Sequence, residues 1–171
     1  MTVLLTEEES MQVTLESLIS AAWPESVRGI DWIVLYFQGK SDLEKNIRIK
    51  MQQWNYGDPY FIILRDQDGA DCLAVKDRLR QRAEVSGKPF SIRIVCNELE
   101  SWFLGELNAI EAAFPDTKAG GLKNTAKYRN PDLMTNASDE LHKVVGISGK
   151  VSQGGPETSW WNECPKSFVS S

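Results

Sequence analysis

Three short acidic clusters are the residues best suited to chemistry in this chain: Glu7-Glu8-Glu9, Asp66-Gln67-Asp68 and Glu98-Leu99-Glu100. In an extended backbone, side chains two residues apart point the same way, so Asp66 and Asp68 would stand together. Two carboxylates so placed repel each other unless a cation or a proton intervenes. Magnesium takes hard oxygen ligands at ~2.0–2.1 Å, which paired aspartates and water supply. A third carboxylate from a neighbouring strand would complete a site that positions phosphate oxygens. Each cluster also has a plainer role. Glu7 to Glu9 can complement the positive end of a following helix dipole. Asp66, Asp68 and Asp71 suit loops and helix N-caps, and Glu98 with Glu100 suits a solvated helix start. Both readings stand at this level.

Other chemistries are poorly supplied. The single histidine, His142, excludes a multi-histidine zinc site and makes a serine or cysteine triad hard to build. Cys72, Cys96 and Cys164 are an odd, widely spaced set with no Cys-x-x-Cys pair, which suits a reducing compartment and argues against structural zinc. A net charge of −5 gives no overall basic footprint for tight, autonomous binding of nucleic acid. It leaves room for a nuclease centre fed by a partner. The acidic turn after Thr6 differs from a signal peptide, and no apolar run approaches the ~20 residues that span a bilayer. The expectation is a soluble, cytoplasmic protein without a membrane anchor.

The elements that must position these acids alternate in type. Residues 1–6 read as a strand. From Ser10 the spacing of Val13, Leu15, Leu18 and Ile19 is helical, with Pro24 beyond the end. Residues 30–37 read as a buried strand closed by Gly39. Residues 41–54 read as a helix with Ser41 as N-cap and Glu44 at capping-box spacing. After the Asp58-Pro59 turn, residues 60–64 form a third strand and 70–86 an amphipathic helix. Residues 90–96 are a fourth strand, and 99–113 are helical up to Phe114-Pro115. Strand–helix repeated four times predicts an α/β fold with a mainly parallel central sheet and right-handed crossovers. In such sheets ligands gather at the carboxyl ends of strands, where all three acidic clusters fall.

Leu4-Leu-Thr-Glu-Glu-Glu-Ser10 before a Leu-rich helix, and Ile63-Leu-Arg-Asp-Gln-Asp-Gly69 with Cys72, resemble the two acidic motifs of a TOPRIM-like domain. Asn97-Glu-Leu-Glu-Ser-Trp-Phe-Leu-Gly-Glu106, with Ala113-Phe-Pro115 and Asn130-Pro131, is similar to a bacterial family of uncharacterised TOPRIM-like proteins. Its members often sit beside genes for ABC/SMC-type ATPases, as the nucleases of overcoming-lysogenisation-defect systems do. The resemblance covers residues 3–145, leaving 146–171 as an irregular tail. It implies a Rossmann-like, TOPRIM-type three-layer fold in which Glu7, Asp66 and Asp68 bind Mg2+ or Mn2+ and work on phosphodiester bonds. Glu98, Glu100, Trp102 and Glu106 belong to the family-specific block, whose chemical role is open; Trp102 and Phe103 are expected chiefly in the core.

The chain departs from the TOPRIM pattern at Glu8, which replaces a glycine, and at Met11, where many nuclease members carry another acid. Lys150 is the counterpart of a C-terminal Tyr/Lys segment, and it or Arg65 could stabilise charge on the phosphate. Arg65 is equally suited to pairing with a neighbouring acid. A non-catalytic module docked on an ATPase, and a hydrolase of nucleotides or small phosphate esters, are the competing readings. A homo-oligomer is compatible with all three.

Overall fold

The structure, a computed structural model, describes residues 1–146. Four strands, β1 (Thr2–Thr6), β2 (Trp32–Tyr36), β3 (Tyr60–Asp66) and β4 (Phe90–Val95), pair in the order β2-β1-β3-β4, and every pairing is parallel. Strands covered on both faces need apolar residues in succession. The two central strands meet this with Val3-Leu4-Leu5 and Phe61 to Leu64.

Each strand is followed by a helix: α1 (Glu9–Ala22), α2 (Lys40–Gln52) and α3 (Cys72–Glu84) make the crossovers. The chain moves one way from β1 to β2 and the other way from β2 to β3 and β4. With right-handed crossovers, α1 therefore covers one face of the sheet while α2 and α3 cover the other. The core on the α2–α3 side joins Val3, Leu5, Phe61, Ile63 and Ile92 of the sheet to Leu43, Ile47 and Met51 of α2 and Val75, Leu79 and Ala83 of α3. On α1, Met11 and Leu15 are buried, and Leu4 and Leu64 alternate toward that side of the sheet. The result is a Rossmann-like three-layer α/β architecture. Among the described residues no helix is long and apolar enough to cross a membrane.

Local chemistry moved three boundaries. The second strand begins at Trp32, because Asp31 accepts a hydrogen bond from Val27 N at 2.7 Å in a turn that leaves Ile30 61% exposed. Helix α2 is capped two residues early: Gly39, at φ 86°, takes the N-cap place expected of Ser41. Asp42 then accepts from Gln38 N at 3.0 Å, which releases Glu44 from the capping box. For α3, Asp71 is the N-cap, accepting from Leu73 N and Ala74 N at 2.9 and 3.4 Å.

The chain divides into two compact units, Met1–Val95 and the residues from Cys96 onward. In the second, the helix expected over 99–113 is broken into α4 (Glu100–Leu104) and α5 (Leu107–Ala113). Gly105 ends the first piece, consistent with the poor helix propensity of glycine. Four short 3-10 turns follow between Pro115 and Leu133, and α6 (Ala137–Val145) closes the described chain.

A candidate acidic centre at the ends of the central strands

In the β1–β3 ladder Thr6 lies opposite Leu64, so Glu7, the next residue, comes out beside Arg65. Arg65 shares the strand parity of Phe61 and Ile63 and so points to the face that α2 and α3 cover. It is only 3% exposed. A guanidinium cannot be buried without countercharge, and three carboxylates supply it. Arg65 Nη1 donates to Glu44 Oε1 at 2.6 Å, Nε lies 3.4 Å from Glu7 Oε2, and Nη2 lies 3.9 Å from Asp68 Oδ2. Glu44 reaches the strand because Leu43, Ile47 and Met51 anchor α2 on the sheet. Lys40, at the start of α2, donates to Asp68 Oδ2 at 3.0 Å.

The alternation that would pair Asp66 with Asp68 ends at Asp66, the last residue of β3. Asp68 has φ 52° and Gly69 φ 68°, a left-handed turn that swings the backbone out of the extended form. Asp66 takes the opposite strand parity from Arg65 and is 9% exposed. Asp68 instead joins the Arg65–Lys40 side of the centre. In the loop after β1, Ser10 Oγ donates to the Glu8 carboxylate, and the Thr6 hydroxyl lies 3.3 Å from Glu8 O.

The Glu7 carboxyl is held above the ordinary carboxylate range. Burial is the largest cause and the charge of Asp68 the next; Arg65 opposes both, Glu8 adds to the rise and Lys40 reduces it. Its Oε2 is buried and accepts no hydrogen bond, since Arg65 Nε is near but not aligned. Glu7 is thus a desolvated acid that ionises reluctantly.

Two observations bear on whether a divalent cation fits here. Glu7, Asp66 and Asp68 are hard oxygen donors of the kind magnesium and manganese take, and a buried carboxylate oxygen without a hydrogen bond is ready to accept one more partner. Yet among the described residues no three His, Cys, Asp or Glu side chains form a group able to hold an ion. The cation of this centre is Arg65 itself. The donor chemistry fits a metal, and Glu7 and Asp68 would have to exchange guanidinium contacts for it.

The family-specific block lies in the second unit. Glu98 Oε2 accepts from Ser138 N at 2.8 Å and so caps the start of α6. Glu100 opens α4, and Glu106 precedes α5 without a side-chain cap bond. Trp102 is 38% exposed rather than in the core, because α4 buries Ser101, Phe103 and Leu104 and one short turn cannot bury Trp102 as well. Lys150 and the tail from residue 147 lie outside the described residues. Glu44 and Lys40 were missed by sequence reasoning. Their pairings span 21 and 28 residues and leave no local pattern.

The chain belongs to a domain family of unknown function (DUF4276), whose model matches residues 6–154. No curated protein and no solved structure matches it.

Proposed function

We propose that this protein is a TOPRIM-like, metal-dependent phosphodiester-cleaving protein of the cytoplasm, working with an ABC/SMC-type ATPase in defence or DNA processing. The observation that carries the reading is the placement of Glu7 and the Asp66–Asp68 loop directly after adjacent central strands, where the strand order reverses. Ligands of open α/β sheets bind at that point. The order of the acidic motifs supports the TOPRIM relation, and the ATPase partner follows from the resemblance to the family found beside such genes. The exposed free thiols of Cys72 and Cys96 suit a reducing compartment.

Glu7, Asp66 and Asp68 would hold Mg2+ or Mn2+. When bound, the ion neutralises charge on phosphate oxygens and lowers the pKa of a bound water. The chain's own residues do the rest. Glu7 would offer its Oε2, which is buried and accepts no hydrogen bond, as a ligand. Glu44 retains the Arg65 guanidinium when Glu7 and Asp68 turn to other partners, which keeps a fixed positive charge beside the reacting phosphate. Lys40 also holds Asp68 Oδ2, at 3.0 Å.

Calorimetric titration with Mn2+ tests the centre, comparing wild type with Asp66→Asn/Asp68→Asn. Saturable binding that disappears in a variant with an unchanged far-UV spectrum is the expected result. Absence of binding by wild type overturns the metal reading.

A second reading has its own support. With Arg65 as resident cation and no group of three ligands assembled among the described residues, the carboxylates serve as an internal ion-pair network and the domain docks on an ATPase without catalysis. Under that reading the double Asn variant recovers the ATPase in a pull-down as well as wild type does, and neither binds Mn2+.

A further inference from the structure

The charge of this acidic chain is unevenly placed. Of its nineteen Lys and Arg, eight lie on α2 and α3, with only four of its twenty-four Asp and Glu. Three of those four acids are already engaged. Glu44 is turned inward to Arg65 and also lies 3.7 Å from Arg78 Nη2 and 3.9 Å from Arg82 Nε, contacts that a phosphate in the groove would share. Asp42 accepts from Gln38 N and Asn46, and Asp77 pairs with Arg80 at 3.1 Å. Lys45 and Arg48 are exposed and take part in no ion pair among the described residues. Between the two helices runs an open groove of about 290 Å³, lined by Lys45, Arg48, Ile49, Arg82 and Val85, with Glu44 on its wall. Ile49 and Val85 are 45% and 56% exposed, so the floor offers apolar surface beside the charges.

We infer that the α2–α3 groove binds the phosphodiester backbone of a nucleic acid, with Lys45, Arg48 and Arg82 as the phosphate contacts. A row of cations over exposed apolar carbon matches a polymer of phosphates and sugars, and it needs no base recognition. The groove joins the acidic centre through one residue. Glu44 lines its wall and holds Arg65, which in turn contacts Glu7 and Asp68. A backbone lying in the groove is therefore tethered beside the carboxylates. The inference deepens the phosphodiester reading by naming a polymer, rather than a free nucleotide, as the substrate class. Three contacts also agree with an overall acidic chain, because they give binding that is measurable at low salt and weak at physiological salt.

The test is fluorescence anisotropy with a labelled DNA oligonucleotide, single-stranded and duplex, using the full chain in EDTA so that metal plays no part. Three phosphate contacts on duplex predict a slope of log affinity against log salt of about −2.7, or roughly a 40-fold fall from 50 to 200 mM salt. Lys45→Glu/Arg48→Glu should lower low-salt affinity by about tenfold or more. Lys123→Glu/Arg129→Glu imposes the same change of net charge elsewhere and should leave affinity nearly intact. Asp66→Asn/Asp68→Asn removes two negative charges beside the groove and should bind DNA at least as tightly as wild type, which separates this surface from the metal centre. No binding by wild type at low salt overturns the inference. So does an equal loss in the two charge-reversal variants, or equal competition by a nucleoside triphosphate at matched phosphate concentration.

Discussion

Glu7 in the first unit and Glu140 in the second are both sheltered carboxylates, with side chains 12% and 5% exposed, yet their protons are held in opposite senses. Burial is the largest influence on each and favours the protonated form. At Glu140 it is outweighed. Lys127 Nζ donates at 2.6 Å and the Tyr128 hydroxyl at 2.5 Å, both to Oε1, and Lys143 Nζ lies 3.7 Å from Oε2, so the carboxyl sits below the ordinary range. Burial, together with the same contact, pushes the Tyr128 hydroxyl well above its usual range. At Glu7 the nearest cation is 3.4 Å away and unaligned, and the like charge of Asp68 adds to burial. Hydrogen bonds that reach the charged form, rather than burial, separate a structural acid from a primed one. Glu140 fastens Ala126–Tyr128 to α6, whereas Glu7 lacks such hydrogen bonds and its carboxyl is shifted upward.

The contrast can be broken most severely at Arg65. Replacing Arg65 with Met removes the buried cation that Glu7, Glu44 and Asp68 share, and about 3–5 kcal/mol of stability should be lost in urea unfolding. A loss below about 1 kcal/mol would show that the ion pairs contribute little and that the acids relax into solvent.

A smaller effect is expected at Glu140. Its lowered pKa contributes stability that is present above the unfolded value near 4.5 and is lost as pH falls through the folded value. Glu140→Gln should cost about 1–2 kcal/mol at neutral pH. Its stability curve should also be flatter than that of wild type on the acid side, as read by thermal unfolding between pH 3 and 7.

Glu7 has the opposite sign. Its raised pKa means that ionisation works against folding above the folded value, and that this cost is relieved as pH falls. Glu7→Gln should therefore cause no loss of stability at neutral pH, while abolishing Mn2+ binding in the same calorimetric titration. A marked destabilisation would mean that the Arg65 contact outweighs burial and that the two acids are alike.

Much of the first unit was legible because its signals are local. Central strands buried on both faces must be apolar in succession, and Val3-Leu4-Leu5 and Phe61 to Leu64 are. Asp71 caps α3 as its residue type suggests. Errors arose where a backbone dihedral decided the outcome. Gly39 displaced Ser41 at the start of α2, and the left-handed Asp68 ended the alternation that would have paired it with Asp66. The partners of Arg65 were hidden for another reason. Glu44 occupies a position that satisfies a local capping pattern equally well, and only the packing of α2 on the sheet directs its carboxylate inward. In the second unit, the break at Gly105 and the short 3-10 turns after Pro115 carry no periodicity from which to read them.

The strand order also fixes a sequence of events in time. During translation β1 and β2 are made first, and β1 has its second neighbour only after Tyr60–Asp66 has left the ribosome. Until then one edge of Val3–Leu5 is an unpaired template of the kind that recruits foreign strands. Glu7 meanwhile waits beside it without Arg65. The interval in which β1 lacks its second neighbour thus ends with the same strand that delivers the cation of the acidic centre.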